Sequence, residues 1–125
     1  MKKIISTNNA PAAIGPYSQA IEVNGTLYAS GQIPIDPATG DFVAGGIKEQ
    51  TEQVFKNIKA ILAEAVLTTR NIVKTTVLLS DIANFAAMNE VYATQFEGTF
   101  PARSAFAVRD LPKAAMVEIE IIAVR

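Results

Sequence analysis

Residues 71–80 read NIVKTTVLLS, and what flanks this stretch decides the fold. It is rich in β-branched residues and apolar on both faces toward its end, the pattern of a strand. Before it, residues 47–66 place Val54, Phe55, Ile58, Ile61, Leu62, Ala65 and Val66 at helical spacing, with Lys, Glu, Gln and Asn on the other face. After it, Ser80 or Asp81 can cap a second helix running to about residue 97. That helix would turn Phe85, Met88 or Asn89, Tyr92 and Phe96 inward. Two helices separated by a strand naturally cover one face of a mixed sheet.

Working outward, SQAIEVNGTLYASGQI (18–33) holds two β-favouring runs around Asn24-Gly25, a strong hairpin signal. The sequon Asn24-Gly25-Thr26 is then a turn. DPATG at 36–40 is a second turn. Residues 102–109 and 116–124 complete the pattern as strands joined around RDLPK. The order β-β-β, α, β, α, β-β has no linker or repeat and predicts one α+β domain over residues 1–125. Val77, Leu79, Phe106, Val108, Ile119 and Ile121 cannot all reach two helices if neighbouring strands alternate. The apolar face left uncovered predicts a homo-oligomer.

Half of the 125 residues are hydrophobic, which argues against disorder, yet no apolar run is long enough to span a membrane. The start, MKKIISTNNAP, lacks the apolar core of a signal peptide, so the expected location is the cytoplasm. The chain has no Cys and no His. That excludes disulfides, thiolate nucleophiles, Cys/His zinc sites and Ser-His-Asp triads. Proton transfers would fall to Asp, Glu, Lys, Tyr, water or the substrate itself. A net charge of −1 and a pI near 5.4 lack the basic footprint of a nucleic-acid binder.

Several polar residues fit a core poorly. In TFPARSAFAV (99–108), Arg103 shares a strand face with Ala105 and Ala107, which leave a hollow beside its guanidinium. It either faces water from an edge strand or grips a carboxylate through two parallel hydrogen bonds. Glu118 and Glu120 lie opposite Ile119 and Ile121, either solvated or, if one is buried, able to handle protons. Asn89 falls on the apolar stripe of the second helix and needs a partner, whether loop or ligand. Ser30-Gly31 inside a strand marks a bulge or a close approach. Tyr17, after Gly15-Pro16, can pack or donate a hydrogen bond.

NAPAAIGPYSQA, the SGQIP block, IVKTTV, FAAMNEVY, FPARS and the closing EIEIIAVR together resemble the YjgF-type Rid family of enamine/imine deaminases, along essentially the whole chain. The resemblance implies a chorismate-mutase-like α+β unit with two helices on one face of a mixed sheet, assembled as a homotrimer with clefts between subunits. It implies hydrolysis of reactive 2-imino acids and their enamine tautomers (2-aminoacrylate and 2-aminocrotonate type) to 2-keto acids and ammonia. No cofactor or metal is implied, and the activity would protect pyridoxal-phosphate enzymes. Carried over by position, Arg103 binds the substrate carboxylate and Glu118 orients or activates water. Tyr17, Ser30, Gly31, Asn89 and Ala105 line the cleft.

The chain departs from the family at two points. Ala105 stands where the family often has cysteine, and Glu64-Ala65-Val66-Leu67 where it usually has Ala-Gly-Leu. A β-branched valine takes positive φ badly, so a distorted or extended helix end, or a cost on the order of 1 kcal/mol, is expected there. The rival function is a non-catalytic module sensing small 2-keto or 2-amino acids, using Arg103 without needing Glu118. RNA cleavage, also associated with the family, fits poorly with an acidic chain that has no histidine.

Overall fold

Asn24 (φ 51°) and Gly25 (φ 80°) both take left-handed backbone, as a two-residue type I′ turn requires. They join strand β2 (Ala20–Val23) to β3 (Thr26–Gln32), with β1 (Lys3–Ile5) paired on the outer side of β2. The computed structural model describes residues 1–125. Beyond the hairpin come helix α1 (Ile47–Glu64), β4 (Ile72–Leu79), helix α2 (Phe85–Thr94), β5 (Ala102–Ala107) and β6 (Val117–Val124). The six strands form one sheet in the order β1-β2-β3-β6-β4-β5. Of the paired strands only β4 and β5 run parallel, being the only sheet neighbours joined through a helix; every other pair is antiparallel.

Both helices pack on one side. Phe55, Ile58, Ile61 and Leu62 of α1 and Met88 of α2 are fully buried, each such side chain stabilising the fold by roughly 1.5–3 kcal/mol. Not all of the polar side of α1 meets water. Asn57 Nδ2 donates to the carbonyls of Ile33 (3.2 Å) and Ile35 (2.9 Å), and Gln53 donates to Asn57 Oδ1. Gln50 Oε1 accepts from the Met116 amide at 2.9 Å. These buried amides fasten the 33–35 loop and the start of β6 to the helix.

The apolar sheet face expected to be left uncovered is mostly buried. Val77 pairs with Ile119, Thr75 with Ile121 and Leu79 with Val117, so the alternation of β4 and β6 is in phase. Val77, Leu79, Ile119 and Ile121 are all buried beneath the helices. Only Phe106, 48% exposed, lies on the open face, while Val108 follows the end of β5 half-buried. The open face is mixed: Tyr28, Leu78 and Ile122 stand among Lys74, Thr76, Glu118 and Glu120.

Element ends also moved. Asp81 does cap, accepting from the Ala83 amide, but it opens a 3-10 turn (Ile82–Asn84), and α2 ends at Thr94, short of residue 97. Helix α1 is neither distorted nor extended at its end. Leu67 N–H donates to Leu62 O (2.8 Å) and Val66 N–H to Ala63 O (2.9 Å), a regular Schellman turn with Val66 at φ 59°. Of the two outcomes expected there, only the energetic cost remains. No helix is long and apolar enough to cross a membrane.

Candidate active site

Arg103 lies on β5, an edge strand, directly opposite Thr75 of β4. That register turns it toward the helices, with Ala105 and Ala107 beside Val77 and Leu79. Its guanidinium carbon stands 4.7 Å from the Tyr92 ring centroid and 5.3 Å from that of Phe85. Nη1 donates to Asn89 Oδ1 at 2.7 Å, the partner that Asn89 needed on its apolar stripe. No carboxylate of the chain pairs with this arginine. A cleft of about 350 Å³, lined by Tyr92, Phe100, Pro101 and Arg103, opens over it.

Glu118 points the other way. It sits on β6 opposite Leu78, on the open face of the sheet, and is half-buried. Burial pushes its carboxyl above the usual carboxylate value, and the like charge of Glu120 adds to the rise. Gly31 lies where the β3–β6 register slips between Ala29 and Gln32. A Cβ on Gly31 would stand 2.9 Å from Glu118 Cδ and closer still to Oε2, so the glycine makes the space the carboxylate occupies.

Tyr17 and Gly31 line one cavity of about 490 Å³ with Ile14, Ile33, Pro112 and Lys113. The loop carrying Tyr17 is held by buried Gln19, whose Oε1 accepts from Thr7 N (2.7 Å) and whose Nε2 donates to Pro11 O (2.8 Å). Ser30 adds a strap, its Oγ donating to Ser18 O at 2.6 Å. Ser30 therefore spends its hydroxyl proton on the loop next to Tyr17.

The residues singled out in the sequence thus fall into two groups within one chain. Arg103, Asn89 and Ala105 share the helix side of β5, whereas Tyr17, Ser30, Gly31 and Glu118 gather at the β3–β6 bulge and its loop. Sequence reasoning missed what five residues contribute. Tyr92 and Phe85 pack inward as the helical pattern predicts, but periodicity does not show that the same rings also meet a cation. Lys113 (φ 55°) and Ala114 (φ 58°) are consecutive left-handed residues at the rim of the Tyr17 cavity, a strain that only the Leu111-Pro112 context hints at. Gln19 reads as an ordinary polar residue, and only its burial reveals its role.

Residues 7–125 match the family model described as Endoribonuclease L-PSP, which covers the YjgF-type Rid proteins. The chain belongs to this family. A mouse (Mus musculus) protein named 2-iminobutanoate/2-iminopropanoate deaminase is 51% identical over 125 residues, covering 100% of this chain and 93% of its own length. A crystal structure of a Rid-family protein from Yersinia pestis superposes with a TM-score of 0.97 at 57% identity, covering 100% of both chains. The Escherichia coli protein TdcF, crystallised with bound serine, gives a TM-score of 0.94 at 44% identity and covers 98% of each chain. The Rid fold is thus shared across the full sheet and both helices.

Proposed function

We propose that this Rid protein hydrolyses 2-imino acids such as 2-iminobutanoate and 2-iminopropanoate to 2-keto acids and ammonia, and does so in clefts completed by a second copy of the chain within a homotrimer. The observation that carries the reading is Arg103: a guanidinium stacked on aromatic rings, held by an amide, and lacking any carboxylate of its own. Its chemistry suits a small ligand with a carboxylate, and full-length relatives near half identity bear the deaminase name.

The reaction asks little of the protein. An enamine is protonated at carbon to give the imine; a protonated imine is already electrophilic at C2. Water adds there, its proton passes to a base, and the tetrahedral carbinolamine expels ammonia to leave the keto acid. Arg103 orients the substrate by its carboxylate. Glu118, with its raised proton affinity, takes the proton of the attacking water and can return it to the departing nitrogen. Gly31 leaves room for that carboxylate, while Ser30 and Gln19 position the Tyr17 loop. Ala105 keeps the wall beside Arg103 small and apolar. Such a cycle needs no histidine or cysteine, and the chain has neither. It matches a cytoplasmic role beside the enzymes that release these imines.

Arg103 and Glu118 occupy opposite faces of the sheet, which supports the reading that one chain presents two half-sites and a neighbouring copy joins them. Turnover is tested by generating the imine with a pyridoxal-phosphate dehydratase and following keto-acid release; a rate no faster than the spontaneous one refutes the reading. Assembly is tested by refolding a 1:1 mixture of R103A and E118Q chains. If each cleft joins an arginine from one chain to a glutamate from the next, roughly a quarter of wild-type activity returns in mixed trimers. If both residues serve from one chain, none returns.

A further inference from the structure

We propose that the Tyr92 ring is a positioning surface that holds the Arg103 guanidinium flat in its carboxylate-binding orientation and so sets the cleft's affinity for the acid group of the substrate. The role rests on the carboxylate-gripping reading of Arg103 given above. A guanidinium carries five N–H donors in one plane, and two parallel bonds to a carboxylate form only when that plane faces the ligand edge-on. An arginine free to rotate loses side-chain entropy on every binding event.

Here the guanidinium is held in advance. The guanidinium carbon lies 4.7 Å from the Tyr92 centroid, within reach of the ring's negative face, and Phe85 lies 5.3 Å away. Asn89 occupies Nη1 at 2.7 Å and leaves Nε and Nη2 without partners in the chain. The ring cannot itself drift. It meets Phe55 edge-on at 5.6 Å and Phe96 at 5.0 Å, and its hydroxyl shares a 2.7 Å hydrogen bond with buried Thr75. Thr75 is the β4 residue paired directly with Arg103. The contacts therefore close a ring: Arg103 to Thr75 through the strand pair, Thr75 to Tyr92 through the hydroxyls, and Tyr92 back to the guanidinium through its face. Burial keeps the phenol neutral, so it contributes a ring face and no charge.

The test is binding of 2-oxobutanoate, an unreactive keto acid, by calorimetry, alongside kcat and KM for the imine. Y92L should raise Kd and KM roughly tenfold with kcat little changed, since the ring acts on a contact made equally before and during the chemistry. Y92F keeps the ring and should restore Kd to within about twofold of wild type, while its unfolding midpoint falls because the Thr75 hydroxyl loses its partner. A purely structural tyrosine gives another order, with affinity following stability in both variants, and that result overturns the proposal. If Y92L does not fold, Y92M carries the test: a severalfold weaker Kd supports the stack and wild-type binding refutes it. R103A separates the two levels. Loss of binding in R103A with wild-type binding in a folded Y92L refutes the tyrosine's role alone, whereas wild-type binding in R103A refutes the site itself.

Discussion

Arg103 and Glu118 sit on opposite faces of one sheet, and the two faces hold their charged side chains by different means. On the helix side the arginine is surrounded: two aromatic rings lie against its guanidinium and an amide fixes one nitrogen. On the open side the carboxylate has no hydrogen-bonding or ionic partner in the chain; a glycine makes space for it, and partial burial and Glu120 raise its proton affinity. A group that must recognise a fixed shape benefits from rigid support. A group that must gain and lose a proton benefits from an environment that leaves neither state strongly favoured.

This contrast is sharpened most by exchanging one group at a time. E118Q should lower kcat on the order of 10²- to 10³-fold with KM little changed, because the amide cannot take a proton from water. R103A should instead act mainly through KM, lowering kcat/KM roughly 100-fold, since a charged carboxylate contact is made before the chemistry as well as during it. Steady-state kinetics on the dehydratase-generated imine separates the two patterns. Identical patterns for both variants would remove the distinction between a gripping half and a proton-handling half.

A smaller effect is expected from Gly31→Ala. Its new methyl overlaps the Glu118 carboxylate, the flexible end of a side chain, so the fold tolerates the change while the carboxylate is displaced. Activity should fall about tenfold with the unfolding midpoint nearly unchanged. The pH profile probes the same face. If Glu118 is the proposed base, its ionised form is the active one and the acid limb of kcat should lie above the ordinary carboxylate value of 4.5. Removing the like charge in E120Q should move that limb downward. Stability carries the opposite sign: the folded state holds this proton more tightly than the unfolded chain. The resulting stabilisation is complete below the unfolded value of 4.5 and is lost as pH rises through the higher folded one. Chemical denaturation of wild type and E118Q across that window reads the difference.

How far the sequence reached can be judged on the same two faces. The helices, the Asn24-Gly25 hairpin and the strand between the helices were legible because each is decided by local periodicity or turn chemistry. The placement of Arg103 beside Ala105 and of Glu118 opposite Ile119 followed from strand alternation. Which face each would join was not legible, because that depends on long-range register. One residue of slip between β4 and β6 exchanges the buried and open sets, and the expectation of an uncovered apolar face failed for that reason. Tyr92 shows the same limit: its helical position was correct, but the cation on its ring comes from another strand.

The smallest expected effect lies away from both half-sites, at the end of α1. Val66 closes a Schellman turn at φ 59°, and its side chain is 82% exposed, so little packing offsets the strain. A β-branched residue in left-handed backbone costs about 1–2 kcal/mol, and part of that gain is returned when glycine loosens the unfolded chain. Val66→Gly should therefore stabilise the protein by about 1 kcal/mol and raise the midpoint by roughly 3–5 °C. Because Leu67 and Val66 already make both bonds of the turn, the gain comes from relief of strain and not from new hydrogen bonds. The imine kinetics of V66G should match wild type. A stability gain with unchanged KM and kcat would show that the strain at this helix end is carried independently of the arginine and glutamate faces. A lower midpoint would mean that the valine's packing outweighs its backbone cost.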